Sequence, residues 1–220
     1  MEGSGERRPH IERLFQRFLN DEQSAKFIHG VAQQYTYASL SRLATCGSRL
    51  TRRGAVLAIG FLSGFEANDV LGARMRDSDR GVRLLAETGL REIWLRDGNE
   101  AQRHQIRKIV RLNTAGEFDE ASQLASQLIS DAPRFAEAWN QRGIARFNLQ
   151  QYRQSVSDCR QTLRLNPYHF AAAVGMAHGY IELNDAAAAL ESLQLALQVN
   201  PELEQVRIQE SRLRKALEQR

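Results

Sequence analysis

Residues 133–201 read PRFAEAWNQRGIARFNLQQYRQSVSDCRQTLRLNPYHFAAAVGMAHGYIELNDAAAALESLQLALQVNP, and Pro133, Pro167 and Pro201 fall 34 residues apart, then 34 again. Other features keep the same step. Asn166-Pro167 is echoed by Asn200-Pro201, Leu163 by Leu197, and Ala136-Glu137-Ala138-Trp139 by Phe170-Ala171-Ala172-Ala173. One period upstream, Gly116 to Ala121 takes the place of Gln150 to Ser155 and of Asn184 to Ala189. A fixed step of this length marks a repeat architecture, in which each unit needs its neighbours to bury its apolar face.

Within each period the pattern is helical twice over. Ala138, Trp139, Gly143, Ile144 and Phe147 recur at three- and four-residue steps, as do Val156, Cys159 and Leu163. Polar turn formers at 148–151 and 183–185 separate the two runs. Proline closes each unit because it cannot continue the helix it follows and suits the first turn of the next. Each period therefore predicts a helical hairpin, and the chain an all-α solenoid.

A 34-residue helix-turn-helix period with Trp139, Gly143, Tyr152 and Pro167 resembles the tetratricopeptide repeat (TPR) family. In the third unit the matching residues are Ala177, Tyr180, Ala189, Ala196 and Pro201, and in the first Gly116, Phe118, Ala121 and Pro133. Small residues belong where paired helices approach closely. The middle unit departs from the pattern: Ser155, Cys159 and Thr162 stand where the family has Ala, an aromatic and Ala, and Arg142 and Arg146 replace apolar or aromatic residues. The resemblance implies a TPR domain over 99–220, with repeats at about 100–133, 136–167 and 170–201. A polar-backed capping helix at 203–219 carries Leu203, Val206, Leu213 and Leu217 on one face.

Upstream, over 1–98, a weaker period of about 31 residues aligns Thr51-Arg52, Ala55, Ala58, Ile59 and Leu62 with Val82-Arg83, Ala86, Gly89, Leu90 and Ile93. This resembles HEAT repeats of the short type, with helix pairs at 36–63 and 66–96. Segments 9–19 and 21–32 also carry apolar residues at helical spacing. Asp97-Gly98-Asn99 is the plausible linker and is too short for free movement, so one continuous helical superstructure is expected.

Composition narrows the function classes. At 220 residues, 42% hydrophobic and 25% charged, the chain is globular and long enough to fold without disulfides or metals. The net charge of +4 is spread thinly: residues 1–98 hold 15 basic and 12 acidic side chains, residues 99–220 hold 15 and 14. The densest run is Arg49, Arg52 and Arg53, which argues against a nucleic-acid footprint. Cys46 and Cys159 stand far apart, each read as a small buried hydrophobe of a reducing compartment. Met1 to Arg8 is charged, without the apolar stretch of a secretory signal, and the longest apolar run, 54–62, falls short of the about 20 residues that cross a membrane. A cytoplasmic protein is expected.

Catalytic signatures are absent: there is no phosphate loop, H-E-x-x-H, G-x-S-x-G or dinucleotide fingerprint. The five histidines, His10, His29, His104, His169 and His178, are scattered singly, so no metal or cofactor is expected. Asp77 and Asp79 could form a carboxylate pair for acid/base work, but a helix stop and an N-cap in an inter-helix turn explain both. Core packing accounts for Phe15, Phe18, Trp94 and Trp139.

What remains is a surface. The resemblance implies that the first helix of each hairpin, at about 102–114, 136–148 and 170–182, lines a concave groove. Away from Gly143 and Ala177 these helices present Arg103, Arg107, Asn140, Gln141, Ile144, Phe147, Asn148, His178 and Glu182. An extended peptide or partner helix could lie there. The Lys and Asn pattern with which some family members clamp a C-terminal carboxylate is missing. The expectation is a non-catalytic scaffold binding a protein or peptide. Two other classes compete: an enzyme or accessory subunit of the HEAT-like, bilin-lyase type, which rests on fold analogy alone, and a solenoid that self-assembles through its terminal faces.

Overall fold

The computed structural model describes residues 9–219, so the Met1 to Arg8 stretch read above for a signal lies outside it. Every regular element among the described residues is helical, and the chain divides between Ile93 and Trp94 into two compact units.

The first unit contains α1 (His10–Asp21), α2 (Ser24–Ala32), α3 (Tyr37–Cys46), α4 (Arg49–Leu62), a single 3-10 turn (Phe65–Ala67), α5 (Asn68–Arg74) and α6 (Arg80–Trp94) up to Ile93. Its centre is α4, which buries Ala55, Val56, Ala58 and Ile59 and packs against α1, α2, α3 and α5. Glycines set the approach distances. A Cβ on Gly54 would lie 3.1 Å from side-chain atoms of Ile11 and Phe15, and one on Gly60 would lie 3.1 Å from Gly89 Cα in α6. Starts are capped by side chains: Thr36 Oγ1 accepts from Ser39 N and Ser48 Oγ from Thr51 N. The buried Glu12 carboxylate accepts from the hydroxyls of Ser48 and Thr51 at 2.5 and 2.6 Å, which ties α1 to the start of α4.

Asp77 and Asp79 are structural. Arg52 forks onto Asp77 at 2.7 and 2.8 Å, and Arg53 onto Asp79 at 2.6 and 2.8 Å. Asp79 Oδ1 also accepts from Val82 N as the cap of α6, and Asp77 Oδ1 from Asp79 N. Burial pushes the Asp77 carboxyl up, but the Arg52 fork, the Asp79 N–H and the charge of Arg74 hold it below its ordinary value. The Arg53 fork does the same for Asp79 against a smaller desolvation penalty. One expectation fails here: Cys46, read as a buried hydrophobe, is exposed because it ends α3 on the solvent side, whereas Cys159 is buried.

The second unit is a run of antiparallel hairpins: α7 (Glu100–Ala115) with α8 (Phe118–Asp131), α9 (Ala136–Asn148) with α10 (Tyr152–Leu165), α11 (Phe170–Glu182) with α12 (Ala186–Val199), then α13 (Glu204–Glu218). The 34-residue step is visible in backbone conformation. Gly116, Gln150 and Asn184 all take positive φ, at 83°, 60° and 59°, where the first helix of each hairpin stops. Asn166 and Asn200 are both fully buried, and the Oδ1 of each accepts the N–H two residues on, fixing the turn after the second helix. Asn99 and Gln102 form a capping box that starts α7, so the expected linker is itself the entry to the first hairpin. Two apolar clusters fill the unit. One holds Ile106, Ile109, Leu128 and Phe135, the other Ala173, Ala177, Leu193, Ala196 and Val206. No helix among the described residues is long and apolar enough to cross a membrane.

Candidate functional site

Successive first helices α7, α9 and α11 pack against one another more closely than successive second helices do, so they form the inner layer of the second unit. Between α9 and α11 lies a cleft of about 140 Å³ lined by Asn140, Gly143, Ile144, Phe147, Asn148, Ala171, Gly175 and His178, with Ser155 and Cys159 of α10 also in its wall. It exists because three lining positions carry little or no side chain. A Cβ on Gly143 or Gly175 would stand 3.3 or 3.2 Å from Cys159 Sγ.

The walls have distinct chemistries. Ile144 is 39% exposed, and Phe147 meets Tyr152 edge-on with ring centroids 5.4 Å apart and lies 6.4 Å from the His178 ring. Asn148 Nδ2 donates to Ile144 O, and Ser155 Oγ to Gly143 O, so both are committed within the chain. Asn140, itself buried at the cleft wall, is oriented from behind: its Nδ2 donates to Glu137 Oε1. Burial, reinforced by the charge of Asp158, pushes the Cys159 thiol up to about 12, which disfavours the thiolate.

Glu137 anchors a buried network beneath this face. Its carboxylate accepts from Asn140 and Gln141 at 3.0 and 2.6 Å and from His169 Nε2 at 2.8 Å. Ala172 N donates to His169 Nδ1 at 3.1 Å, so the proton given to Glu137 sits on Nε2. Burial raises the Glu137 carboxyl, but these donors outweigh it and hold the group below its ordinary value. Trp94, the first residue of the second unit, stacks on the His169 ring at 4.0 Å and 17°.

Of the nine residues singled out from sequence, Asn140, Ile144, Phe147, Asn148 and His178 share this cleft. Gly143 shares it too, so this cleft includes the glycine side of α9 rather than turning away from it. Gln141 is buried and spent on Glu137 and on Asn113, whose amide donates to it at 2.9 Å. Arg103, Arg107 and Glu182 are exposed and lie outside the cleft, with the Arg103 guanidinium on Gly98 O. The sequence reading missed Asp158. It is 2% exposed in its side chain and accepts from both Arg142, at 2.8 and 3.0 Å, and Arg146, at 2.7 Å. An acid 12 and 16 positions after the two unusual arginines was the available signal.

Comparison with known proteins bears on this geometry. The first TPR of Spaghetti (RPAP3) bound to the HSP90 peptide SRMEEVD superposes with a TM-score of 0.51 and 19% identity, covering 53% of this chain and 92% of that domain. The first TPR domain of human RPAP3 gives 0.51 and 19%, with coverage of 54% and 93%. With their 34-residue step, the hairpins of the second unit have the tetratricopeptide-repeat fold. In sequence, a TPR repeat-containing protein of Rhizobium etli is 39% identical over 57 residues, 26% of this chain and 28% of that protein. Sperm-associated antigen 1 of Mus musculus is 31% identical over 88 residues, 40% of this chain and 10% of that protein. The chain thus spans about a quarter and a tenth of the lengths of these two relatives. No protein-family model matches the chain.

Proposed function

We propose that the TPR unit is a non-catalytic scaffold that seats an extended peptide segment of a partner protein along α9 and α11. The observation that carries this reading is the cleft itself: an exposed Ile144 and the Phe147 ring beside a preoriented Asn140. That combination suits an apolar side chain flanked by main-chain amides. The peptide SRMEEVD held by the Spaghetti domain supports a peptide as the ligand class. The raised Cys159 thiol weighs against nucleophilic catalysis from within the cleft. In the first unit, we read α3 with α4 and the α5 segment with α6 as HEAT-like pairs. Support comes from the 31-residue offset of Arg52 and Arg83 and from the glycine-mediated approach of α4 to α6.

Selection from a random displayed-peptide library tests the scaffold reading. Peptides recovered by the wild type should lose binding at least about tenfold to an Asn140→Ala, Ile144→Asp, Phe147→Ala variant of unchanged helicity, because few central residues carry most binding energy. Equal retention by the variant would remove the cleft as the seat.

A further inference from the structure

A second, larger cleft opens on the other layer of the same unit. It measures about 460 Å³ and lies among α10, α11 and α12. Leu163, Met176 and Leu195 supply apolar lining, Arg160 and Arg164 stand along α10, and Glu191 is on α12. Arg160 and Arg164 are four residues apart on one helix and therefore lie on one face. Both are exposed, and neither makes an ion pair among the described residues. Arg160 is also held in place, donating from Nη2 to the Tyr180 hydroxyl at 2.6 Å, which fixes one guanidinium at the cleft wall before anything binds.

This arrangement differs from that of the half-buried arginines of α9. Arg142 and Arg146 share the Asp158 carboxylate, whereas neither arginine of the α10 pair has an ion-pair partner among the described residues and both stand beside the apolar Leu163, Met176 and Leu195. A guanidinium fork is matched by a carboxylate, and the apolar lining between α10 and α12 is matched by an aliphatic side chain. Glu191 gives the cleft a polarity, favouring acid on the α10 side and disfavouring it on the α12 side.

We propose that this cleft is a second docking site, one that takes an acidic partner peptide in which Asp or Glu residues flank a Leu or Met. The acidic residues meet Arg160 and Arg164 and the apolar side chain enters between Leu163, Met176 and Leu195. The site is independent of the inner-layer cleft, so a partner could be held on both layers of the unit.

The test is fluorescence anisotropy on the full chain with a labelled peptide of alternating Glu and Leu, beside its Gln/Leu and Lys/Leu counterparts. The Glu/Leu peptide should saturate, and its affinity should fall as salt rises from 50 to about 500 mM, since exposed charge pairs are screened over about a Debye length. Arg160→Glu with Arg164→Glu should weaken it about tenfold or more, and Glu191→Lys should tighten it severalfold. The opposite signs of the two variants separate recognition from damage to the fold, which circular dichroism checks. The proposal is overturned by no saturation at millimolar protein, by equal affinity for the Gln/Leu peptide, or by indifference to both variants. An oligonucleotide that displaces the peptide at matching concentration would make the cleft a polyanion site and overturn it equally.

Discussion

Asp158 shows how a single residue can satisfy what looks like an anomaly. Arg142 and Arg146 on α9 stand where the TPR pattern has apolar or aromatic residues, and each would be an unpaired charge near the core without the carboxylate that receives both. Arg142 also donates to Ser126 Oγ and lies 4.8 Å over the Trp139 ring, so it joins α8, α9 and α10. Asp158→Ala should destabilise the second unit by about 3 kcal/mol, the cost of leaving a charge without its buried partner, measured by urea denaturation. Combining it with Arg142→Leu and Arg146→Tyr should recover most of that loss, and failure to recover would mean that the arginines hold the unit together by packing alone. The acids of the first unit make a pH prediction. Asp77 and Asp79 are held below their ordinary values, so they stabilise the fold above the unfolded carboxylate value of about 3.9 and lose this contribution as pH falls through their folded values. Asp77→Asn with Asp79→Asn should cost about 2 kcal/mol at pH 7, with the gap to wild type closing below about pH 4. A gap constant with pH would show that the arginine forks contribute nothing ionic.

At the scale of the element, the hairpins depend on how each first helix stops and how closely its partner approaches. Gly116 meets the left-handed stop at no steric cost, whereas Gln150 adopts it with a full side chain. Gln150→Gly should therefore raise stability by about 1 kcal/mol, read as a higher melting temperature. Gly179 makes the opposite case: a Cβ there would fall 2.6 Å from Val156 Cγ2, so α11 and α10 touch where no side chain fits. Gly179→Ala should cost about 1–3 kcal/mol through forced repacking of a stiff β-branched neighbour. These stops and contacts were legible in part. The 34-residue step of proline, asparagine and small residues placed the helices of the second unit because each recurrence is local and helical periodicity is strong. The burial of Gln141 and the exposure of Cys46 were not legible, since helical spacing reports a face but not what covers it.

For the whole molecule, the boundary between units carries the same lesson. A polar Asp97-Gly98-Asn99 turn is the natural place to divide the sequence, yet the second compact unit begins at Trp94. The reason is long-range. Trp94 is 3% exposed and stacks on His169, with Phe170 at 5.3 Å, and Leu95 packs against the Ile106 and Leu128 cluster. No local pattern announces a contact 75 positions along the chain. Trp94 covers the ring whose Nε2 serves the buried Glu137 carboxylate, and Glu137 in turn orients Asn140 in the cleft, so the tryptophan supports the proposed seat from two steps away. A fragment of residues 94–220 retains both apolar clusters and should fold with one cooperative transition. A fragment of 99–220 loses the stack and Leu95, and should melt about 10 °C lower, since truncating a buried tryptophan alone costs about 3–5 kcal/mol. Equal melting temperatures would place the true start of the unit at the capping box of α7, and would make Trp94 an ornament on His169 rather than the lid of the network behind the cleft.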